Sequence, residues 1–376
     1  MDYHIEIGTS LSADSLTLAP PSPTPSTTPT IQDVSPGGLF TVKFAMNSSL
    51  AVNIVIMVVK LVSFVFSGSL SVLASLMDSL LDIVSQYVLF WTEKKSRLAQ
   101  ENTAIYPAGA NRLEPVGVIV CATLMGVGSF TVISESIQAI VRTLNGNDGE
   151  GANDASNDDI KFALGVMLGV VVIKLALWRY CAIVIAIMKE SGAVSSLSSV
   201  EAVGQDHLND ILSNAIAAIA LIVFLVDDSY WYFDPAGAIL ISFFIIHSWW
   251  ATGKEEIDKI AGVTASREFI GSLTMIGDGH HEEMKVDVTR AYYFGPKFLV
   301  EMEVVMPGSM TVAVSHEIGM DLQYKLEKHP EVERAFVHID YQTRDYDEHS
   351  NSKKFSYEEQ LSFNNTSPTN NRNAQL

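Results

Sequence analysis

The chain has 376 residues, of which 48% are hydrophobic and 18% charged, and its formal net charge is −19. A soluble domain usually has about a quarter of its residues charged, and here the apolar residues lie in long runs, so the composition indicates a protein that crosses a membrane. The excess of acids argues against nucleic acid as a partner, because surfaces that bind nucleic acid are basic.

The two ends of the chain are predicted to be disordered tails. Residues 1–40 are rich in Ser, Thr and Pro, and residues 346–376 are mostly polar. Segments of this composition cannot bury enough apolar surface to fold. The N-terminal tail also lacks a basic stretch followed by an apolar one, so no cleaved signal peptide is expected.

Six apolar runs lie between the tails, and each can cross a bilayer, which takes a helix of about 20 mostly apolar residues. The predicted spans are 44–66, 70–93, 114–141, 160–188, 205–227 and 235–253. They predict an α-helical membrane domain of six transmembrane helices over residues 41–254. Only Ser67, Gly68 and Ser69 separate the first two spans, which predicts a tight antiparallel hairpin.

The loop lysines and arginines predict the orientation, because cytosolic loops are enriched in these residues. One side of the predicted membrane domain holds eight of them: Lys43, Lys94, Lys95, Arg97, Arg112, Lys189, Lys254 and Lys259. The other side holds only Arg142 and Lys161. Both termini are therefore expected in the cytosol, as an even number of spans requires.

Beyond the sixth span, residues 255–345 have the pattern of a small α+β domain on the cytosolic side. The segments predicted to form a helix, two strands, a helix and a strand are, in that order, 257–276, 285–291, 298–306, 312–328 and 333–341. This order predicts a small sheet with helices on one face.

Four aspartates inside the apolar runs indicate a functional site within the membrane domain. Asp78 and Asp82 lie four residues apart in the second predicted span, and Asp206 and Asp210 have the same spacing in the fifth. This spacing places both carboxylates of a pair on one helical face. A charged carboxylate at membrane depth costs about 3 kcal/mol or more unless it is paired or metal-bound. We therefore predict that the two helices pack face to face and that the four carboxylates surround a divalent cation.

The type of ligand bears on the metal. Four carboxylates favour manganese, magnesium or calcium, whereas zinc sites usually recruit His or Cys. His207 lies about 100° around the helix from Asp206 and is expected to point away from the site, although a rotated span would bring it in and keeps zinc open. Asn53 and Asn214 are predicted either as auxiliary oxygen ligands or as interhelical hydrogen-bonding residues.

A proton gradient is the predicted energy source. Carboxylates that bind a metal when ionised can bind protons instead, so metal and protons compete. The sequence has no GxxxxGK[ST] loop, which argues against ATP. A cation channel, a membrane-embedded aspartyl protease and a receptor or scaffold are competing interpretations. The protease needs two aspartates that share a proton, and four acids at a repeated spacing fit it poorly. We expect neither an enzyme nor a cofactor.

Several short stretches are typical of one transporter family. They are Ser67–Asp82, Tyr106–Gly109, Arg112–Pro115, Arg290–Tyr292, Glu333–His338 and Asp340–Tyr341. Together they resemble the cation diffusion facilitator family, specifically its manganese group, which includes plant metal-tolerance proteins. The resemblance covers about residues 42–345. It implies a homodimeric antiporter with a ferredoxin-like cytosolic domain, which exports metal from the cytosol in exchange for protons.

The resemblance also assigns residues. It maps the family's transport site onto Asp78, Asp82, Asp206 and Asp210, and zinc members carry His where this chain has Asp206. The expected cargo is Mn²⁺, with zinc, iron, cadmium or calcium as the alternatives. The expected location is an endomembrane, such as the vacuole or Golgi, or the plasma membrane.

Some members of that family also bind metal in the cytosolic domain through several histidines. Here Asp287 and Met302 stand at two of those positions, and a Met thioether is a poor ligand for a hard metal. His338 is therefore expected to be a packing or dimer-contact residue. The segment from His280 to Glu283 is expected to be a solvated turn.

Overall fold

The structure is a computed structural model that describes residues 42–67, 70–100, 104–145, 157–192, 194, 196–226 and 230–343. The tails predicted at 1–40 and 346–376 lie outside these residues, as do Gly68 and Ser69 of the predicted hairpin turn.

Among the described residues, six long helices form the first part of the chain. They are α1 (Val42–Ser67), α2 (Leu70–Gln100), α3 (Leu113–Leu144), α4 (Asn157–Glu190), α5 (Leu197–Val226) and α6 (Phe233–Ala261). Each predicted span overlaps one of these helices, and several helices extend beyond the predicted bounds. All but α2 are long and apolar enough to cross a membrane by length and composition. α2 is more polar because it carries Asp78, Asp82 and a charged C-terminal end, and it packs between α1 and α3.

The six helices form one bundle with a shared apolar core. α3 packs along α6, and α4 packs along α5. Leu89, Val118, Cys121, Val184 and Trp249 are among the buried residues at the centre. The outer surface carries many exposed apolar side chains, which is typical of a surface that faces lipid.

A glycine sets the distance between α2 and α3. A Cβ at Gly117 would lie 2.2 Å from the hydroxyl oxygen of Thr92, so a larger residue would push the helices apart. Small residues at helix crossings allow close backbone approach in membranes. This contact holds α2 against the bundle and therefore helps to position Asp78 and Asp82.

The C-terminal domain is an α+β fold whose predicted element order is confirmed. Its elements are α7 (Arg267–Asp278), β1 (Lys285–Phe294), β2 (Lys297–Val305), α8 (Val312–Glu327) and β3 (Val332–Asp340). The sheet order is β1-β2-β3, with β1 and β2 antiparallel and β2 and β3 parallel. Leu273 of α7 and Leu322 of α8 share one core with Val300 and Met302 of β2.

The single helix predicted over residues 257–276 is wrong. α6 continues to Ala261 and ends at Gly262, which has a φ of 77°. Glycine adopts this left-handed conformation without the strain that a side chain would add. α7 begins only after Ser266, whose hydroxyl accepts a hydrogen bond from the Phe269 N–H at 3.2 Å. Between the helices, Thr264 forms a bridge to Tyr292 of β1.

The hairpin turn between β1 and β2 rests on the membrane domain. Gly295 has a φ of 73°, and a Cβ there would lie 3.1 Å from the backbone atoms Asn111 C and Arg112 N. The Arg112 guanidinium stacks 3.8 Å from the ring centroid of Phe294. The Gly295 N–H donates to the Lys259 carbonyl at 3.3 Å. The sheet is therefore in contact with the start of α3 and the end of α6.

Candidate metal-transport site

Four helices contribute polar side chains to one region inside the bundle. We call this region the central cluster; its members are Asn53 from α1, Asp82 and Gln86 from α2, Lys174 from α4, and Asp206, His207 and Asp210 from α5. Five of the seven are buried, and Asp82 and Asp210 are half-buried. Such a concentration of polar groups inside membrane helices is costly and indicates a functional site.

The position of α5 is fixed from its N-terminal end by Glu114 of α3. The buried Glu114 carboxylate accepts hydrogen bonds from the backbone N–H groups of Ser196 at 2.8 Å and Ser199 at 3.2 Å. The first N–H groups of a helix have no partner within the helix, and a carboxylate there also interacts favourably with the helix dipole. Glu114 thus anchors the helix that carries Asp206 and Asp210.

The two aspartates of α5 converge with a histidine. Ligand atoms of Asp206, His207 and Asp210 lie within 4.8 Å of one another, and this is the one such group of three or more among the described residues. Asp206 is 1% exposed, and its Oδ2 accepts a hydrogen bond from Gln86 Nε2 at 3.1 Å. Its Oδ1 is buried without a partner among the described residues. That oxygen is therefore an unused acceptor inside the bundle.

The expectation that His207 points away from the site is wrong. His207 is 0% exposed, and its Nε2 forms a hydrogen bond with the Ser49 hydroxyl at 2.8 Å. Its Nδ1 has no partner within the described part of the chain. α5 contacts α1, α2, α3, α4 and α6, so faces about 100° apart on this helix both turn inward.

The two aspartates of α2 differ in their surroundings. Asp82 is half-buried and interacts electrostatically with Asp210 and Asp206. Asp78, one turn earlier, is exposed and faces Lys60, Glu135 and Asp210. The structure therefore brings Asp206 and Asp210 together, whereas Asp82 interacts with both of them electrostatically and Asp78 lies at the edge of the central cluster.

The two asparagines named as auxiliary ligands both make hydrogen bonds. Asn53 is buried, and its Oδ1 accepts from Lys174 Nζ at 2.7 Å. Asn214 Nδ2 donates to the backbone carbonyl of Asp210 at 2.8 Å. Asn53 therefore belongs to the central cluster, and Asn214 supports the turn of α5 that carries Asp210.

Two lysines of this region were missed by the sequence prediction. Lys174 is 2% exposed, and its ammonium donates to Asp210 Oδ2 as well as to Asn53. Lys60 of α1 donates to the Ser79 hydroxyl at 2.7 Å. A lysine inside an apolar run is as costly as an aspartate. The argument that identified the four aspartates applies equally to Lys174, which lies in the run Val170–Leu177.

Two family models cover most of the described chain. Residues 47–261 match the cation efflux transmembrane domain, and residues 272–342 match the cytoplasmic domain of cation efflux proteins. The chain belongs to the cation efflux family. This membership confirms the resemblance to cation diffusion facilitators, and the protein is a multi-pass membrane transporter of divalent metal cations.

Plant members of the cation efflux family are similar to this chain over most of its length. Metal tolerance protein 10 of Arabidopsis thaliana is 36% identical over 308 residues, covering 82% of this chain and 67% of that protein. Metal tolerance proteins 5 and 7 of Oryza sativa subsp. japonica are 33% and 35% identical, each covering 82% of this chain and 71% and 73% of their own lengths.

Met302, His338 and His280 have different surroundings in the C-terminal domain. Met302 is fully buried in the domain core, and His338 lies exposed on β3. His280 Nε2 lies 3.2 Å from the carbonyl oxygen of Ile318 and 3.7 Å from the Asp321 carboxylate. Within the described residues, this domain contains no group of three or more metal-ligating side chains.

Proposed function

We propose that this transporter exports Mn²⁺ in exchange for protons and that Asp78, Asp82, Asp206 and Asp210 are its metal ligands. The carrying observation is the convergence of the Asp206 and Asp210 carboxylates in the bundle, with Asp206 Oδ1 unpartnered among the described residues. Asp82 interacts electrostatically with both of these carboxylates. Two positive charges brought by a metal would neutralise acids that are otherwise costly at this depth.

Manganese is the proposed cargo because oxygen ligands dominate the cluster, and carboxylates suit hard cations such as Mn²⁺. Zinc is the second candidate, and one observation favours it. The imidazole of His207 lies within reach of both α5 carboxylates, and its Nδ1 is unpartnered among the described residues. Zinc sites commonly combine imidazole and carboxylate ligands.

Proton exchange follows from the same carboxylates. A carboxylate must be ionised to bind a metal, so metal binding releases protons and protons displace the metal. A proton gradient across the membrane can then drive the metal in the opposite direction. This coupling requires that both species use the same acids at different times.

We also propose an assembly and an orientation. The family model for the C-terminal domain is named as a dimer domain, which supports a homodimer. The loop lysines and arginines support cytosolic termini, with export out of the cytosol into an organelle such as the vacuole or Golgi, or across the plasma membrane.

A metal panel in proteoliposomes tests the proposed cargo. The native chain is expected to carry Mn²⁺ faster than Zn²⁺, and Asp206→His is expected to shift the preference towards Zn²⁺ by adding a nitrogen ligand. If zinc is the cargo, His207→Asn reduces Zn²⁺ flux while Mn²⁺ flux stays low throughout. Faster Zn²⁺ than Mn²⁺ transport by the native chain would refute the manganese proposal.

The same vesicles test the coupling. Imposing a pH gradient is expected to accelerate Mn²⁺ flux, and flux should saturate with Mn²⁺ concentration. Flux that is insensitive to the gradient would rule out antiport, and flux that does not saturate would support a channel. Asp210→Ala in matched vesicles gives the background rate.

A further inference from the structure

Lys174 is a buried cation held by the cluster's own residues. It lies near the middle of α4, is 2% exposed, and donates to Asn53 Oδ1 at 2.7 Å and to Asp210 Oδ2. These contacts join α4 to α1 and α5. A buried ammonium needs a charged partner. For Lys174 that partner is Asp210, which is also a proposed metal ligand.

The charges around Lys174 explain why the ammonium is stable there. Asp210 accepts a hydrogen bond from the ammonium, and the negative charges of Asp206 and Asp82 also interact favourably with it. Lys60 is a second lysine near the acids, and its charge interacts favourably with Asp82, Asp78 and Asp210. The acids of the central cluster are therefore partly neutralised by the chain itself.

The ammonium occupies atoms that a metal would use. Asp210 Oδ2 and Asn53 Oδ1 accept from Lys174, whereas Asp206 Oδ1 and His207 Nδ1 have no partner among the described residues. A divalent cation bound between Asp206 and Asp210 would compete with the ammonium for Asp210, because two cations at one carboxylate oxygen repel each other.

We propose that Lys174 is the resident counter-cation of the transport site, which a divalent metal must displace from Asp210 in order to bind. This inference rests on the proposed metal ligands. The ammonium stays charged and stays attached to α4, so it weakens metal binding and returns to Asp210 when the metal leaves. A monovalent ion brings no more charge than the ammonium already supplies, so the arrangement also favours divalent cations.

Binding and transport measurements on three chains test the proposal. Mn²⁺ affinity is measured by titration of the full-length protein in lipid nanodiscs at alkaline pH, where protons compete least for the carboxylates. The native chain is compared with Lys174→Met, which removes the charge, and with Lys174→Arg, which keeps it. Lys174→Met is expected to bind Mn²⁺ at least about tenfold more tightly, because a nearby like charge is gone.

The kinetics of transport should show the same effect. For Lys174→Met, the KM for Mn²⁺ is expected to fall while Vmax falls several-fold, because release becomes slow. Lys174→Arg should bind Mn²⁺ no more tightly than the native chain. A purely structural lysine would lower the yield of folded protein or the melting temperature without tightening metal binding. If Lys174→Met is not recovered folded, Lys174→Gln is measured instead.

Three results would overturn the inference in different ways. Unchanged or weaker Mn²⁺ binding in folded Lys174→Met, with binding abolished in Asp206→Ala and Asp210→Ala, would refute the counter-cation but retain the proposed ligands. Native affinity in both aspartate variants would refute the proposed ligands themselves. Tighter binding by Lys174→Arg would show that the charge is not the cause.

Discussion

In the central cluster, carboxylates, amides and ammonium groups are hydrogen-bonded to one another inside the membrane helices. Asp206 illustrates the arrangement, because one carboxylate oxygen accepts from Gln86 and the other has no partner among the described residues. A hydrogen bond to one oxygen fixes the plane of the carboxylate and directs the other oxygen towards the cluster. Mutating a group that orients a metal ligand typically costs about 10- to 100-fold in metal affinity.

Gln86→Leu is expected to weaken Mn²⁺ binding by about tenfold or more, because Asp206 loses the group that orients it. Titration of the purified protein measures the change. Gln205→Leu is the matched control, since Gln205 lies on the same helix as Asp206 and donates to the Ser248 hydroxyl at 2.9 Å. Equal losses in the two variants would contradict the orienting role.

Tyr292 in β1 gives a pH-dependent prediction outside the membrane. Burial and a 2.6 Å hydrogen bond from its hydroxyl to the Glu301 carboxylate raise the pKa of Tyr292 to about 12. A raised pKa means that the interaction stabilises the domain fully below the ordinary tyrosine pKa of about 10, and that this stability is lost as the pH rises through the folded-state value.

Ultraviolet titration of the folded protein should therefore include a tyrosine that ionises at about pH 12, and Tyr292→Phe should remove that late component. The difference in stability between native chain and variant should disappear above the raised pKa. Loss of a tyrosine with an ordinary pKa in Tyr292→Phe would contradict the assignment.

At the scale of elements, α5 is the helix on which the site depends, and its N-terminal end is held by Glu114 at the start of α3. The Arg112–Pro115 stretch that resembles the family therefore has a structural explanation. The Glu114 carboxylate on α3 accepts hydrogen bonds from the backbone N–H groups of Ser196 and Ser199 at the start of α5. The position of Asp206, about two turns further along, follows from this anchor.

Glu114→Ala is expected to lower the melting temperature of the protein in detergent and to reduce Mn²⁺ transport. It leaves two buried N–H groups without partners, at about 1–3 kcal/mol each. Glu114→Gln keeps an acceptor and should lose less. The matched control is Glu201→Ala, which removes a surface ion pair with Lys189, worth about 1 kcal/mol or less. A similar effect of both alanine variants would argue against the anchoring role.

At the scale of the whole molecule, the C-terminal domain is tied to the helices that carry the site. Its β1–β2 turn contacts the start of α3, and Gly192 after α4 lies against Pro330 before β3. Arg112 adds a cation–π contact to Phe294. A movement of the domain would therefore shift the start of α3, and through Glu114 it would also shift the N-terminal end of α5.

Gly295→Ala is expected to loosen this junction. The position combines a positive φ with backbone atoms 3.1 Å from any added Cβ, and the conformation alone costs a side chain about 1–2 kcal/mol. Hydrogen exchange should increase at residues 106–112, and the Vmax for Mn²⁺ should fall several-fold. Gly308→Ala is the control, because a Cβ there meets Tyr341 at an ordinary 3.7 Å. Unchanged hydrogen exchange at residues 106–112 in Gly295→Ala would contradict the role of this junction between the two domains.

Local features of the sequence determined the element order of both domains. The length of an apolar run and the spacing of two aspartates depend on the helical repeat and on membrane thickness, so six helices and two face-sharing pairs could be predicted. The break at Gly262 was missed because apolar periodicity resumes after it, although the glycine itself was a visible signal.

Only the tertiary structure decided which side chains meet. The rotation of α5 places His207 beside its two aspartates. Gln86 on α2 donates a hydrogen bond to Asp206, and Lys174 on α4 donates one to Asp210. Helix rotation and spacing arise from contacts between residues far apart in sequence, such as Gly117 with Thr92. A pattern within one helix carries no information about these contacts, so the sequence determined the acids and the fold determined their partners.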